Sequence, residues 1–208
     1  METMTSDLRD LERALRRGPT QGAGDDRRAA SELAQRAVRE GAADIAYAMI
    51  DSPLGALLLA GTRRGLVKLA YTPQGPDPVL QALARRVSPR LIEAPGSLDE
   101  PRRQLEQYFS GERHEFELAL DRRLMSPFAR RVLSVTAAIP YGSASTYLDV
   151  ARRAGSPRGY RAAGNALGAN PIPIVIPCHR VLHRTGGLGG YGGGLERKRW
   201  LLELERGE

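Results

Sequence analysis

Residues 171–178 read Pro-Ile-Pro-Ile-Val-Ile-Pro-Cys, and no other stretch limits the fold of this chain so strongly. A short apolar run broken by three prolines forms no helix, because proline lacks an N–H and clashes with the preceding turn. It is expected as a buried extended segment that delivers Cys178 to a fixed place. Cys178 is the only cysteine. The chain therefore makes no internal disulfide and no multi-thiolate zinc site, and a reducing cytoplasm is the expected setting.

Cys178 is followed at once by His179 and Arg180, then by a stretch with seven glycines in the nine residues 186–194. On the residues alone two readings stand. A single cysteine is commonly a small buried hydrophobe. A thiol next to a base and a cation is also the pattern of an activated nucleophile. The glycine run is either a flexible loop or a wall where backbone comes close to a ligand.

Charge separates the two halves of the chain. Residues 1–125 hold 19 Lys+Arg and 19 Asp+Glu, whereas residues 126–208 hold 12 against 5, so the whole excess of +7 lies in the C-terminal part. A basic surface suits a phosphate backbone, and it equally suits plain solvation. No run of about 18 apolar residues is present, so no membrane span is expected, and the charged start Met1–Arg17 lacks the apolar centre of a secretion signal.

Three segments follow from the punctuation. Residues 1–43 carry two thin amphipathic patterns, Ser6–Arg17 and Asp26–Arg39, around a Gly/Pro spacer. They are expected as an extension that is solvated or weakly docked, the second pattern showing Leu33, Ala37 and Val38 on one face. Residues 44–125 read as a small α/β unit. Three strands, Ile45–Ile50, Ala56–Ala60 and Leu66–Tyr71, are joined by short turns as an antiparallel sheet, and helices follow over Pro78–Val87 and Asp99–Phe109. His114 there reads as a lone surface histidine.

Residues 126–208 read as mainly helical. Ser126-Pro127 starts a first helix. Ser145 caps a second over Thr146–Ala154, and a third covers Arg158–Leu167. The last two resemble a helix-turn-helix, with Arg158 and Arg161 at the start of the recognition helix and Ala162, Ala163 and Gly164 in its middle. A packed helix pair is the other reading. A final helix, Leu195–Glu205, docks on the core. The expected fold class is α+β.

Pro177-Cys178-His179-Arg180-Val181 resembles the active-site signature of the O6-alkylguanine-DNA alkyltransferases, the methylated-DNA–protein-cysteine methyltransferases. Ile139-Pro140-Tyr141-Gly142, Ser145-Thr146-Tyr147, Arg161–Ala166, Asn170–Pro173 and Trp200–Glu205 fall in the same order as in that family. The resemblance is strong from Ser126 to Glu205, looser over 44–125, and absent over 1–43. It implies a ribonuclease H-like unit at 44–125 and a DNA-binding, catalytic unit at 126–208.

The resemblance also implies a mechanism. An alkylated guanine is flipped out of duplex DNA, since its reactive carbon is unreachable in the stack. Arg161 fills the gap, on a helix that works in the minor groove beside Arg158, Ala162, Ala163 and Gly164. Cys178 attacks the alkyl carbon. Glu205 orients His179, which takes the thiol proton through a water. Tyr147 donates to guanine N3, Asn170 braces the turn, and Pro173, Val181, Tyr191 and Gly192 line the pocket. The protein is consumed, one molecule per lesion. No cofactor or metal is implied, O4-alkylthymine is a further candidate substrate, and a monomer is the default.

Three departures from the family pattern bear on pocket width: Ser143-Ala144, Leu148 and Gly192. The lack of further cysteines argues against a zinc-bearing sensor domain. Three rivals are kept: a lesion binder that transfers nothing, a helix-turn-helix regulator, and a thiol hydrolase that turns over.

Overall fold

The computed structural model describes residues 22–207. The pattern at Ser6–Arg17 lies outside these. Helix α1 (Gly22–Glu40) starts earlier than Asp26. It docks through Ala34 and Val38, one turn apart, onto Ala46, Ile92 and Ala94. Leu33 does not share that face: it is 67% exposed, being rotated by one residue from Ala34. Arg63 Nη2 donates to the Arg39 carbonyl at 2.9 Å, which satisfies one of the free carbonyls at the helix end.

Strands β1 (Ile45–Ile50), β2 (Leu57–Thr62) and β3 (Gly65–Tyr71) form the expected antiparallel succession. A fourth strand, β4 (Leu91–Glu93), was not legible, and it pairs in parallel with β1. The sheet therefore has four strands in the order β3-β2-β1-β4, not three. Three residues between prolines carry no alternation to read, and only the partner strand makes them a strand.

Strand β2 is buried on both faces, as its run of leucines requires. Leu57 and Leu59 enter the main core, and Leu58 and Ala60 face the opposite cluster. Helix α2 (Asp77–Arg86) covers that second cluster with Val79, Leu80 and Leu83. Helix α3 (Asp99–Phe109) puts Leu105 and Tyr108 into the main core.

The helical part begins with α4 (Pro127–Ala137), where Ser126 Oγ accepts from Ala129 N–H at 3.2 Å. Helix α5 (Tyr147–Arg153) is capped by Thr146, whose Oγ1 accepts from Asp149 N–H at 3.1 Å. Ser145 is therefore not the cap. With Thr146 it forms a two-residue strand, β5 (Ser145–Thr146), parallel to β6 (Val181–Leu182).

Helix α6 (Tyr160–Gly168) starts after Gly159, so Arg158 lies in the preceding turn and not on the helix. Helix α7 (Leu195–Arg206) closes the fold. The main core runs without a break from Leu57, Leu59 and Tyr108 through Val132 and Ile172 to Leu201. The sheet and the helices thus hold the residues around Cys178 from both sides.

Candidate functional site

The segment before Cys178 is a tight turn, which corrects the extended reading. Ile176 N–H donates to Ile172 O at 2.9 Å and Cys178 N–H to Ile176 O at 2.8 Å. Ile174 has φ of 72°, costly for a β-branched residue, and it persists because its surroundings leave it no alternative. Asn170 supplies much of that constraint. Its Nδ2 donates to Ile176 O at 2.9 Å and lies 3.3 Å from Cys178 Sγ, while its Oδ1 accepts from Ile172 N–H at 3.0 Å. Cys178 then begins a 3-10 turn, Cys178–Arg180.

The thiol is 6% exposed. Burial pushes its pKa up, against the Asn170 hydrogen bond and the Lys198 charge, which favour thiolate. At neutral pH it rests as thiol, not partly ionised, and needs a base to react.

A buried imidazole next to it is set up as one. His179 Nε2 lies 2.8 Å from Glu205 Oε1. Glu205 also accepts from Arg180 Nε and Nη2 at 2.9 and 2.8 Å and from Tyr108 Oη at 2.7 Å. Burial pushes the Glu205 carboxyl up, but these donors outweigh it and hold the pKa at about 2. Burial holds His179 below its usual value despite Glu205. A carboxylate only accepts, so the neutral imidazole carries its proton on Nε2 and has its lone pair on Nδ1. His179 Nδ1 is the one buried side-chain polar atom without a partner among the described residues.

Tyr108 and Arg180 as donors to Glu205, and Lys198 as a buried cation, were missed. Lys198 is fully buried and its Nζ donates to the carbonyls of Val181, at 2.6 Å, and Leu188. Burial lowers its pKa to about 8. One signal was available: Lys198, Leu201, Leu202 and Glu205 recur at helical spacing and form the buried face of α7. Tyr108 carried no such signal, because its partner lies 97 residues away.

Two cavities meet at the glycine-rich stretch. The smaller, about 270 Å³, is lined by Cys178, Asn170, Pro173, Tyr71, Tyr191 and Gly192. The larger, about 710 Å³, is lined by Tyr147, Arg161, Gly164, His183, Tyr191 and Gly192. Gly168, Tyr191 and Gly192 line both, and the last two form the wall between them. Tyr191 Oη pairs with Tyr71 Oη at 2.9 Å, and Tyr147 Oη donates to Gly190 O at 3.3 Å. A Cβ at Gly193 would collide with the Tyr71 ring, and one at Gly189, where φ is 67°, with Tyr147. Those two glycines therefore let the backbone pack directly against the Tyr71 and Tyr147 rings.

The remaining expected residues fall elsewhere. Ala163 is fully buried in the core, so it is not part of an exposed helix face; Ala162 is exposed and Gly164 half-buried. Arg158 is exposed and lines neither cavity. Val181 is buried, lines neither cavity, and has its carbonyl engaged by Lys198. His114 is exposed and stacks on Tyr141 with ring centroids 4.1 Å apart. No metal-holding group of His, Cys, Asp or Glu occurs among the described residues, and no described helix is long and apolar enough to cross a membrane.

An α+β chain that seats its one cysteine beside a glutamate-held imidazole, with a short helix pair across a glycine wall, has the architecture of the cysteine-dependent DNA alkyltransferases. Residues 45–122 match the ribonuclease-like domain of 6-O-methylguanine DNA methyltransferase, and residues 127–207 match its DNA binding domain. The methylated-DNA–protein-cysteine methyltransferase of Mycolicibacterium paratuberculosis is 44% identical over 162 residues, which is 78% of this chain and 93% of that protein. That of Methanosarcina barkeri is 42% identical over 160 residues, 76% of this chain and 96% of that protein. The crystal structure of the Mycobacterium tuberculosis O6-methylguanine methyltransferase superposes with a TM-score of 0.69 at 41% identity, covering 78% of this chain and 93% of that one. The Mycobacterium tuberculosis protein in complex with DNA gives a TM-score of 0.68 at 41% identity, with the same coverage. This chain belongs to the methylated-DNA–protein-cysteine methyltransferase family. Helix α1 lies outside the matched residues.

Proposed function

We infer that this protein repairs DNA by moving the alkyl group of O6-alkylguanine onto Cys178, once per molecule. The observation that carries the reading is the order Cys178, His179, Glu205: a buried thiol, a neutral imidazole with a free Nδ1, and a carboxylate fixed at the far ring nitrogen. That is the order of nucleophile, base and orienter. His179 takes the thiol proton through a water, the sulfur attacks the alkyl carbon in line, and the bonding pair leaves with guanine O6. Proton transfer of this kind contributes about 10²–10⁴-fold.

Helices α5 and α6 act as a helix-turn-helix on duplex DNA, with α6 in the minor groove. Arg161 takes the place of the flipped base, and Ala162 and Gly164 keep the helix close to the backbone. The base enters the larger cavity, and its O6 substituent passes the Tyr191–Gly192 wall toward Cys178. Tyr147 exchanges Gly190 O for guanine N3 and eases the charge developing on the base. Pro173 lines the alkyl side. Residues 44–125 and 126–208 act as a supporting and a DNA-binding, catalytic unit of a cytoplasmic monomer.

Intact-mass measurement after mixing with a duplex containing O6-methylguanine is the test. One added methyl at Cys178 and no further turnover is expected. Cys178→Ala should bind the duplex and gain nothing; transfer in that variant, or continuing turnover, would refute the assignment.

A further inference from the structure

The cavity at Cys178 extends past what a methyl group needs. Its volume of about 270 Å³ is many times the ~30 Å³ that one water-sized group fills. From Cys178 and Pro173 it runs to the sheet, where Lys68 of β3 and Val79 of α2 line it. The same two residues line a further cavity of about 230 Å³ with Arg86. No Asp or Glu lines either space. The side chain of Lys68 is half-buried, and burial first, then the nearby Arg86 charge, pulls its pKa down. Lys68 is the one cation lining the cavity at Cys178, and with no carboxylate beside it there an anion is favoured.

We propose that this cavity is an alkyl subsite for O6 substituents that end in an anion, such as carboxymethyl, with Lys68 as the specificity-determining cation. The proposal rests on the reading of Cys178 as alkyl acceptor. Attack on a carboxymethyl group brings a thiolate and a carboxylate together in a poorly solvated space. Their repulsion raises the barrier unless a cation faces the carboxylate. Lys68 supplies that cation from the sheet side, away from the DNA. In the reaction the S–CH2 bond forms as the O6–CH2 bond breaks. The pair stays with guanine, which ends with the proton that left the thiol, and the protein retains S-carboxymethylcysteine.

The test compares single-turnover transfer from duplexes carrying O6-carboxymethylguanine and O6-carbamoylmethylguanine, which are alike in size and differ in charge. O6-methylguanine serves as the reference substrate. The wild-type protein should favour the anionic group about tenfold, the effect of one charge-assisted contact. Lys68→Met should bring that ratio to about one, and Lys68→Arg should keep it. A wild-type ratio near one, or a ratio unchanged in Lys68→Met, overturns the proposal. Failure of the wild-type protein to accept even methyl removes the reading of Cys178, and this proposal with it.

Discussion

Replacing Glu205 by glutamine tests the charge at the centre of the buried network. The amide keeps the shape but loses the charge that faces Arg180 and His179. The carboxyl is held at about 2 against an ordinary value of 4.5. At about 1.4 kcal/mol per pH unit that gap is worth about 3 kcal/mol. Removing one partner of a buried ion pair costs about 3–5 kcal/mol by itself, which agrees. The folded-state pKa lies below the unfolded one, so this stability is present above pH 4.5 and is lost as pH falls toward 2. Urea unfolding of wild type and Glu205→Gln should therefore differ by about 3 kcal/mol at pH 7, and by progressively less between pH 4.5 and 2. The exposed carboxylates paired with Arg90 and Arg103 titrate equally in both proteins and cancel from the difference. A difference below ~0.5 kcal/mol at pH 7, or one that stays constant down to pH 2, would show that the charge of Glu205 does not hold the network.

Two further outcomes follow from the turn that carries the sulfur. Asn170→Ala leaves the Ile172 N–H without its partner and removes one of the two donors to the Ile176 carbonyl, which keeps the Cys178 N–H. It should destabilise the fold by about 1–3 kcal/mol and slow alkyl transfer in quench-flow assays; full activity at unchanged stability would separate the brace from the chemistry. Burial raises the Cys178 thiol above its ordinary range. The thiolate fraction, and with it the rate of S-alkylation by iodoacetamide, should therefore keep rising through pH 9. A plateau near pH 7 would mean the resting thiol is already ionised.

What could be read from the residues was what lies close along the chain. Strands β1 to β3, helix α3 and the Ser126 cap were legible because local patterning and tertiary structure agree there. The turn at residues 170–178 was misread as extended, since proline excludes helix but does not choose among the remaining shapes. The brace role of Asn170 came only through the family resemblance, since on the residues alone Asn170-Pro171 reads as ordinary turn chemistry; its partners all lie within eight residues. The electrostatic support of Glu205 was only partly legible: Tyr108 comes from α3, and Gly142, whose N–H donates to Oε2 at 3.3 Å, from the turn after α4. The nucleophile is positioned by its own short segment, while the carboxylate behind its base takes one of its donors, Tyr108, from the sheet-bearing part. Loosening that contact, as in Tyr108→Phe, would leave Cys178 in place and remove a donor from the carboxylate that orients His179, so activity should weaken before the fold does.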